Sequence, residues 1–137
     1  MNEEERAAYT ARRLEAARQT LADAEMLFGN ERYRSAVNRV YYAMFYAVAA
    51  LALKHGFSTS SHGQLRGYFN REFVKPGLVP VDLGKGYGTA FDARTKGDYD
   101  DLASFERDQV RAMLDDARKL VDAVARLVER PGACENE

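Results

Sequence analysis

Hydrophobic and polar positions along this chain repeat at helical spacing from end to end. Ala7, Leu14, Ala17, Leu21, Ala24, Leu27 and Phe28 recur at three, four and seven, with charges on the opposite side. This predicts a first helix over residues 3–28, stopped by Gly29-Asn30. A short connection there turns the next helix back into a hairpin. The second helix spans about residues 31–55 and is apolar over most of its circumference, as expected in the middle of a bundle. Val37, Val40, Met44, Val48 and Leu51 form one stripe; Tyr41, Phe45 and Ala49 widen it, and Gly56 ends it.

After the loop 57–61, Ser61 and Gln64 have the spacing of a capping box. A third helix then covers about residues 62–74, with Leu65, Tyr68, Phe69 and Phe73 inward, until Lys75-Pro76-Gly77. Asp82 is the expected cap of a fourth helix reaching about Lys96, with Leu83, Tyr87, Ala90 and Phe91 inward. Gly97 to Asp101 reads as a polar loop and Ser104 as the next N-cap. The last helix runs to about Arg130 on Val110, Leu114, Ala117, Leu120, Val121, Val124 and Leu127. There is no strand pattern and no repeat. The expected fold is all-α, an up-and-down bundle of four to five helices in one domain over residues 1–130, with 131–137 a flexible tail.

Composition narrows the function classes. The 137 residues are 46% hydrophobic and 30% charged, with net charge −1, so no global field draws in nucleic acid or acidic membrane. A nucleic-acid site would be a local patch. The uncharged run Val40 to Leu53 is about 14 residues, short of the ~20 that span a membrane. The acidic N-terminus lacks an apolar signal region. Together with a single cysteine, Cys134, these features suit a cytoplasmic protein without a membrane partner. Two histidines and one tail cysteine at no ligand spacing give no metal site, and no cofactor is expected. Gly84-Lys85-Gly86-Tyr87-Gly88 lacks the spacing and preceding strand of a dinucleotide loop, and reads as small packing residues at a helix start.

Candidate chemistry gathers on the second helix. Arg39, Tyr42 and Tyr46 share one face. A guanidinium in so apolar a helix needs a partner or an opening: either an acid on the first or last helix, or a cleft. His62 opens the third helix, where free N–H groups favour an anion. Arg94, Lys96, Asp98 and Tyr99 form a charged cluster, readable as a solvated loop or as part of a site. His55 reads as a residue favouring a helix C-terminus.

Several segments together resemble the HEPN domains (higher eukaryotes and prokaryotes nucleotide-binding), above all the short stand-alone prokaryotic members. They are Asn38-Arg39-Val40-Tyr41-Tyr42-Ala43-Met44-Phe45-Tyr46-Ala47, Ser61-His62-Gly63, Phe69 to Gly77, and Ala93-Arg94 with Gly97-Asp98-Tyr99-Asp100. The resemblance implies a dimeric helical bundle, often the partner of a minimal nucleotidyltransferase in a toxin–antitoxin pair. It implies metal-independent endoribonuclease activity in members that carry an arginine followed four to six residues later by a histidine. Arg39 matches that arginine; at the later position where related chains can carry histidine, this chain has Tyr46. On this resemblance Arg39, Tyr46 and His62 are the catalytic candidates. Asn38, Tyr42, Arg94, Asp98 and Tyr99 are the candidates for binding RNA or a nucleotide. The alternative is a non-catalytic helical partner or substrate-binding subunit of the nucleotidyltransferase, with tyrosines in the cleft able to accept a nucleotidyl group.

Overall fold

A computed structural model describes residues 1–130. Five α-helices run in order: α1 (Glu3–Gly29), α2 (Tyr33–Lys54), α3 (His62–Phe69), α4 (Val81–Tyr99) and α5 (Arg107–Glu129). A single π-helical turn, Asn70–Val74, extends α3. No strand occurs among the described residues.

The helix α2 is the hub, packing on α1, α5, α4 and α3. Thirteen of its residues are buried, and Val37, Val40, Met44, Val48 and Leu51 are each at most 1% exposed. By length and composition alone α2 could cross a membrane. Here its apolar surface is instead covered by the neighbouring helices, as the central helix of a bundle requires. On α1 the buried row is Thr10, Leu14, Ala17, Thr20 and Ala24, while Ala7, one period earlier, is exposed. Both turn signals hold: Gly56 and Gly77 take φ of +83° and +92°, which glycine adopts without strain.

Helix starts depart from expectation in two places, at α4 and α5, and α1 has a cap of its own. Asn2 and Glu5 form a reciprocal capping box at the head of α1. Asp82 does not cap α4: the helix begins at Val81 behind Pro80, with Asp82 in its first turn, where its charge suits the dipole. Ser104 does not cap α5 either. Glu106 does, accepting from Gln109 N–H while the Gln109 side chain accepts from Glu106 N–H. Helix α4 also continues to Tyr99, so Gly97, Asp98 and Tyr99 are helical rather than a loop.

Glycines let α4 come close to its neighbours. A Cβ at Gly84 would lie 3.0 Å from both Val74 methyls, and one at Gly86 would lie 3.0 Å from Asp116 Oδ2. At Gly88 it would lie 2.5 Å from Arg66 Nη2, whose side chain crosses α4 to reach the Phe91 ring and Asp92. This settles the glycine cluster as a packing feature. The close approach brings the C-terminal half of α4, with Arg94, alongside α2 and the start of α3.

Candidate nucleotide-binding cleft

His62 is the first residue of α3, and Ser61 caps that helix by accepting from Gln64 N–H at 3.1 Å. The cap fixes the direction of α3's first turn, which lays the His62 ring on α2. It stacks on Phe45 (centroids 4.2 Å apart, 19°), runs nearly parallel to Tyr41 at 5.7 Å, and meets Tyr42 edge-on at 5.9 Å. Its Nδ1 is 2.7 Å from Tyr41 Oη and 3.2 Å from Arg94 Nη2.

Arg94 reaches this point from α4 with its side chain only 13% exposed. Its guanidinium lies 4.7 Å from the Tyr41 ring centre and 5.7 Å from that of Tyr42. Nη1 donates to Asp98 Oδ2 at 3.1 Å, one turn along α4. Nε is buried without a partner among the described residues. From α2, the Arg39 guanidinium stands 5.2 Å from the same Tyr42 ring, and Nε and Nη2 both donate to Asn38 Oδ1 (3.0 and 2.7 Å). The acid on α1 or α5 that could have paired with Arg39 is not what it meets. Two guanidiniums thus share one tyrosine ring, and among the described residues the single carboxylate bonded to either is Asp98 on Arg94.

Electrostatics follow from this crowding. Burial pushes the Tyr41 phenol up, opposed by the Arg94 charge beside it. Burial pushes Tyr87, stacked on Tyr41 at 6.1 Å, well up, and the Tyr41 hydroxyl adds to it. Burial and then the Arg94 charge hold His62 below its ordinary value.

Tyr46 continues the aromatic face, 5.9 Å from Tyr42 and 5.8 Å from Phe45. It is half-buried and touches His62 only through those rings. Beside Arg94 a small opening of about 210 Å³ is lined by Ser35, Asn38, Arg94 and Asp98, among others. Arg34 closes its far side, donating to the carbonyls of Gly97, Asp101 and Ala103 and so fixing the end of α4. Tyr99 does not join the cluster; it is 83% exposed at the end of α4. Sequence reasoning placed Tyr41 and Phe45 in the core stripe and missed that they hold His62. The available signal was a phenol hydroxyl on that stripe, which demands a buried partner.

A larger groove of about 1350 Å³ lies between the start of α1 and the end of α5. Two of its four Lys and Arg side chains, Lys54 and Arg18, are held by the protein. Lys54 Nζ donates to the Leu127, Val128 and Arg130 carbonyls, and Arg18 pairs with Glu129 at 3.2 Å. Size alone does not mark the site: the two cations that converge on one ring are Arg39 and Arg94, and of these Arg94 also lines the small opening.

The chain matches the HEPN domain family over residues 10–127. It belongs to that family. A Thermotoga maritima protein named "UPF0332 protein" is 46% identical over 129 residues, covering 94% of this chain and 96% of that one. A Methanocaldococcus jannaschii protein named "Putative toxin MJ0142" is 32% identical over 101 residues, 74% of this chain and 69% of that one. The crystal structure of TT1696 from Thermus thermophilus superposes with TM-score 0.71 at 22% identity, covering 85% of this chain and 96% of that one. That likeness shows a shared fold. In this HEPN chain Arg39 of α2, Arg94 of α4 and His62 of α3 gather around the Tyr42 ring.

Proposed function

We propose that this chain is a toxin-like HEPN protein that binds RNA or a nucleotide in the cleft between α2, α3 and α4. The observation that carries this reading is the pair of guanidiniums, Arg39 and Arg94, converging on the half-buried Tyr42 ring beside His62. Guanidiniums bind phosphate by charge-assisted, often bidentate hydrogen bonds. Aromatic faces such as Tyr42 and Tyr46 stack bases with little regard to sequence. The toxin name of the M. jannaschii relative supports the same direction. Cleavage is the finer form of the proposal: Arg39 would hold the scissile phosphate, with Tyr46 or, as a hydrogen-bond donor, His62 assisting, without metal. The test is anisotropy of a fluorescent single-stranded RNA, with gel analysis of the same mixtures. Wild type should bind and Arg39→Ala should bind at least tenfold more weakly. Equal binding by both would overturn the reading. Product bands from wild type but not Arg39→Ala would establish the nuclease.

One observation favours a second reading, a helical partner and nucleotidyl acceptor for a minimal nucleotidyltransferase. The Tyr99 side chain stands 83% exposed with no hydrogen bond among the described residues. A phenol so placed is open to a partner's active site. Co-expression with a minimal nucleotidyltransferase and nucleoside triphosphate should add a nucleotidyl mass to wild type and not to Tyr99→Phe.

A further inference from the structure

We propose that Arg94 and Tyr41 are positioning residues that hold the His62 ring neutral with its proton on Nε2, so that His62 gives the cleft a hydrogen-bond donor and not a base. A guanidinium has five N–H donors and no acceptor. Arg94 Nη2 lies 3.2 Å from His62 Nδ1, so Nδ1 must present its lone pair. The Tyr41 hydroxyl lies 2.7 Å from the same nitrogen and can turn its proton toward it, so that phenol and guanidinium share the one lone pair. A proton on Nδ1 would set an N–H against the guanidinium and turn the phenol round. The one proton of the neutral ring therefore sits on Nε2, which has no protein partner among the described residues.

The ring is not free to escape this arrangement. Phe45 covers one face at 4.2 Å and Tyr42 closes an edge. The charges around it do not favour an imidazolium. From α4 come Arg94 and Asp98, with Asp98 engaged by Arg94 Nη1 at 3.1 Å. From α2 come Arg39 and the neutral phenols of Tyr41 and Tyr42. From α3 itself comes the positive end of the helix dipole. No carboxylate bonds to His62 among the described residues.

The consequence concerns what the cleft can do. Taking a proton from a 2′-hydroxyl needs a free lone pair within reach. The Nε2 position carries a proton and the Nδ1 lone pair is covered. With Arg94 held on Asp98 and on His62 Nδ1, the cleft offers a phosphate the Arg39 guanidinium and Nε2–H, and no histidine base. Only this last step rests on the phosphate-site reading; the tautomer does not.

The chain has two histidines, so the ring signals of ¹⁵N-histidine-labelled protein form two sets, and His62→Gln assigns them. At pH 7 His62 should show a bare, pyridine-type Nδ1 and a protonated, pyrrole-type Nε2, and should titrate below the ordinary 6.5. Arg94→Met should raise that titration point and let both tautomers appear. Tyr41→Phe should act in the same direction, less strongly. A protonated Nδ1 in wild type overturns the proposal, even if Arg94→Met fails to fold. So does a folded Arg94→Met variant with an unmoved titration. Adding AMP to the same sample separates the two readings. A shift of the Nε2–H signal supports the phosphate site, while its absence counts against that reading and leaves the tautomer result to stand or fall on its own spectrum.

Discussion

The two faces of α2 differ in how completely they are finished. The apolar stripe carries Val37, Val40, Met44, Val48 and Leu51, none more than 1% exposed and none with a side-chain hydrogen-bonding group to satisfy. The face toward α3 and α4 carries Arg39, Tyr41, Tyr42, Phe45 and Tyr46. There, polar atoms are crowded together, and Arg94 Nε is buried without a hydrogen bond among the described residues, as is Thr10 Oγ1 on α1. Buried polar atoms left in that state cost stability, on the order of 1–3 kcal/mol each. A bundle that needed only to fold would fill both faces alike. What sets the α3–α4 face apart is the gathering of two guanidiniums, a histidine and phenols in one place.

The largest effect that tests this contrast lies on the finished face. Leu51→Ala removes a side chain with no exposed surface and should cost about 2–5 kcal/mol of stability, read from urea unfolding. RNA affinity of the folded protein should not change, because Leu51 lies more than two turns beyond Tyr42. A matching loss of affinity would break the separation of the two faces.

The reverse pattern is expected at Arg39. Arg39→Ala removes a half-buried cation bonded only to its neighbour Asn38 and packed on Tyr42. Stability should stay within about 0.5 kcal/mol, as for surface changes. RNA affinity should fall about tenfold or more, roughly 1.4 kcal/mol. The dependence of log affinity on log salt should flatten by about one phosphate contact. An unchanged salt slope would show that Arg39 serves the fold rather than a phosphate.

How much of this was legible beforehand follows the same division. The finished face could be read because a stripe at helical spacing is local information, as could the family, whose signature lies in the order of short segments. Helix starts were partly misread because several residues near each start can cap, and tertiary context chooses among them. At α5 it chose Glu106, three residues before Gln109, over Ser104. The cleft was half legible. Arg39, Tyr42, Tyr46, His62 and Arg94 could each be picked out by residue type. Their meeting could not, since Tyr41 and His62 are 21 positions apart and Arg94 and His62 are 32. Tyr41 looked like core, and it is core. Its ring is wholly buried while its hydroxyl reaches the histidine, a double use that periodicity cannot reveal.

The smallest effect sharpens the comparison at that contact. His62 titrates lower when folded than when unfolded, through burial and then through Arg94. As pH falls through about 6.5, the unfolded chain takes up a proton that the folded ring refuses. Folding stability attributable to His62 is therefore fully present above that pH and is lost as pH falls toward the folded value. Below the folded value both states carry the proton and the dependence ends. Urea midpoints of wild type and His62→Gln, measured from pH 7.5 down to pH 5, should diverge in slope over that window, with wild type losing more. Carboxylates titrate in both proteins alike and cancel in the difference. Parallel slopes would mean that the folded ring accepts a proton as readily as the unfolded one. Nδ1 would then not be held by Arg94, and the α3–α4 face would be an aromatic surface without a fixed donor.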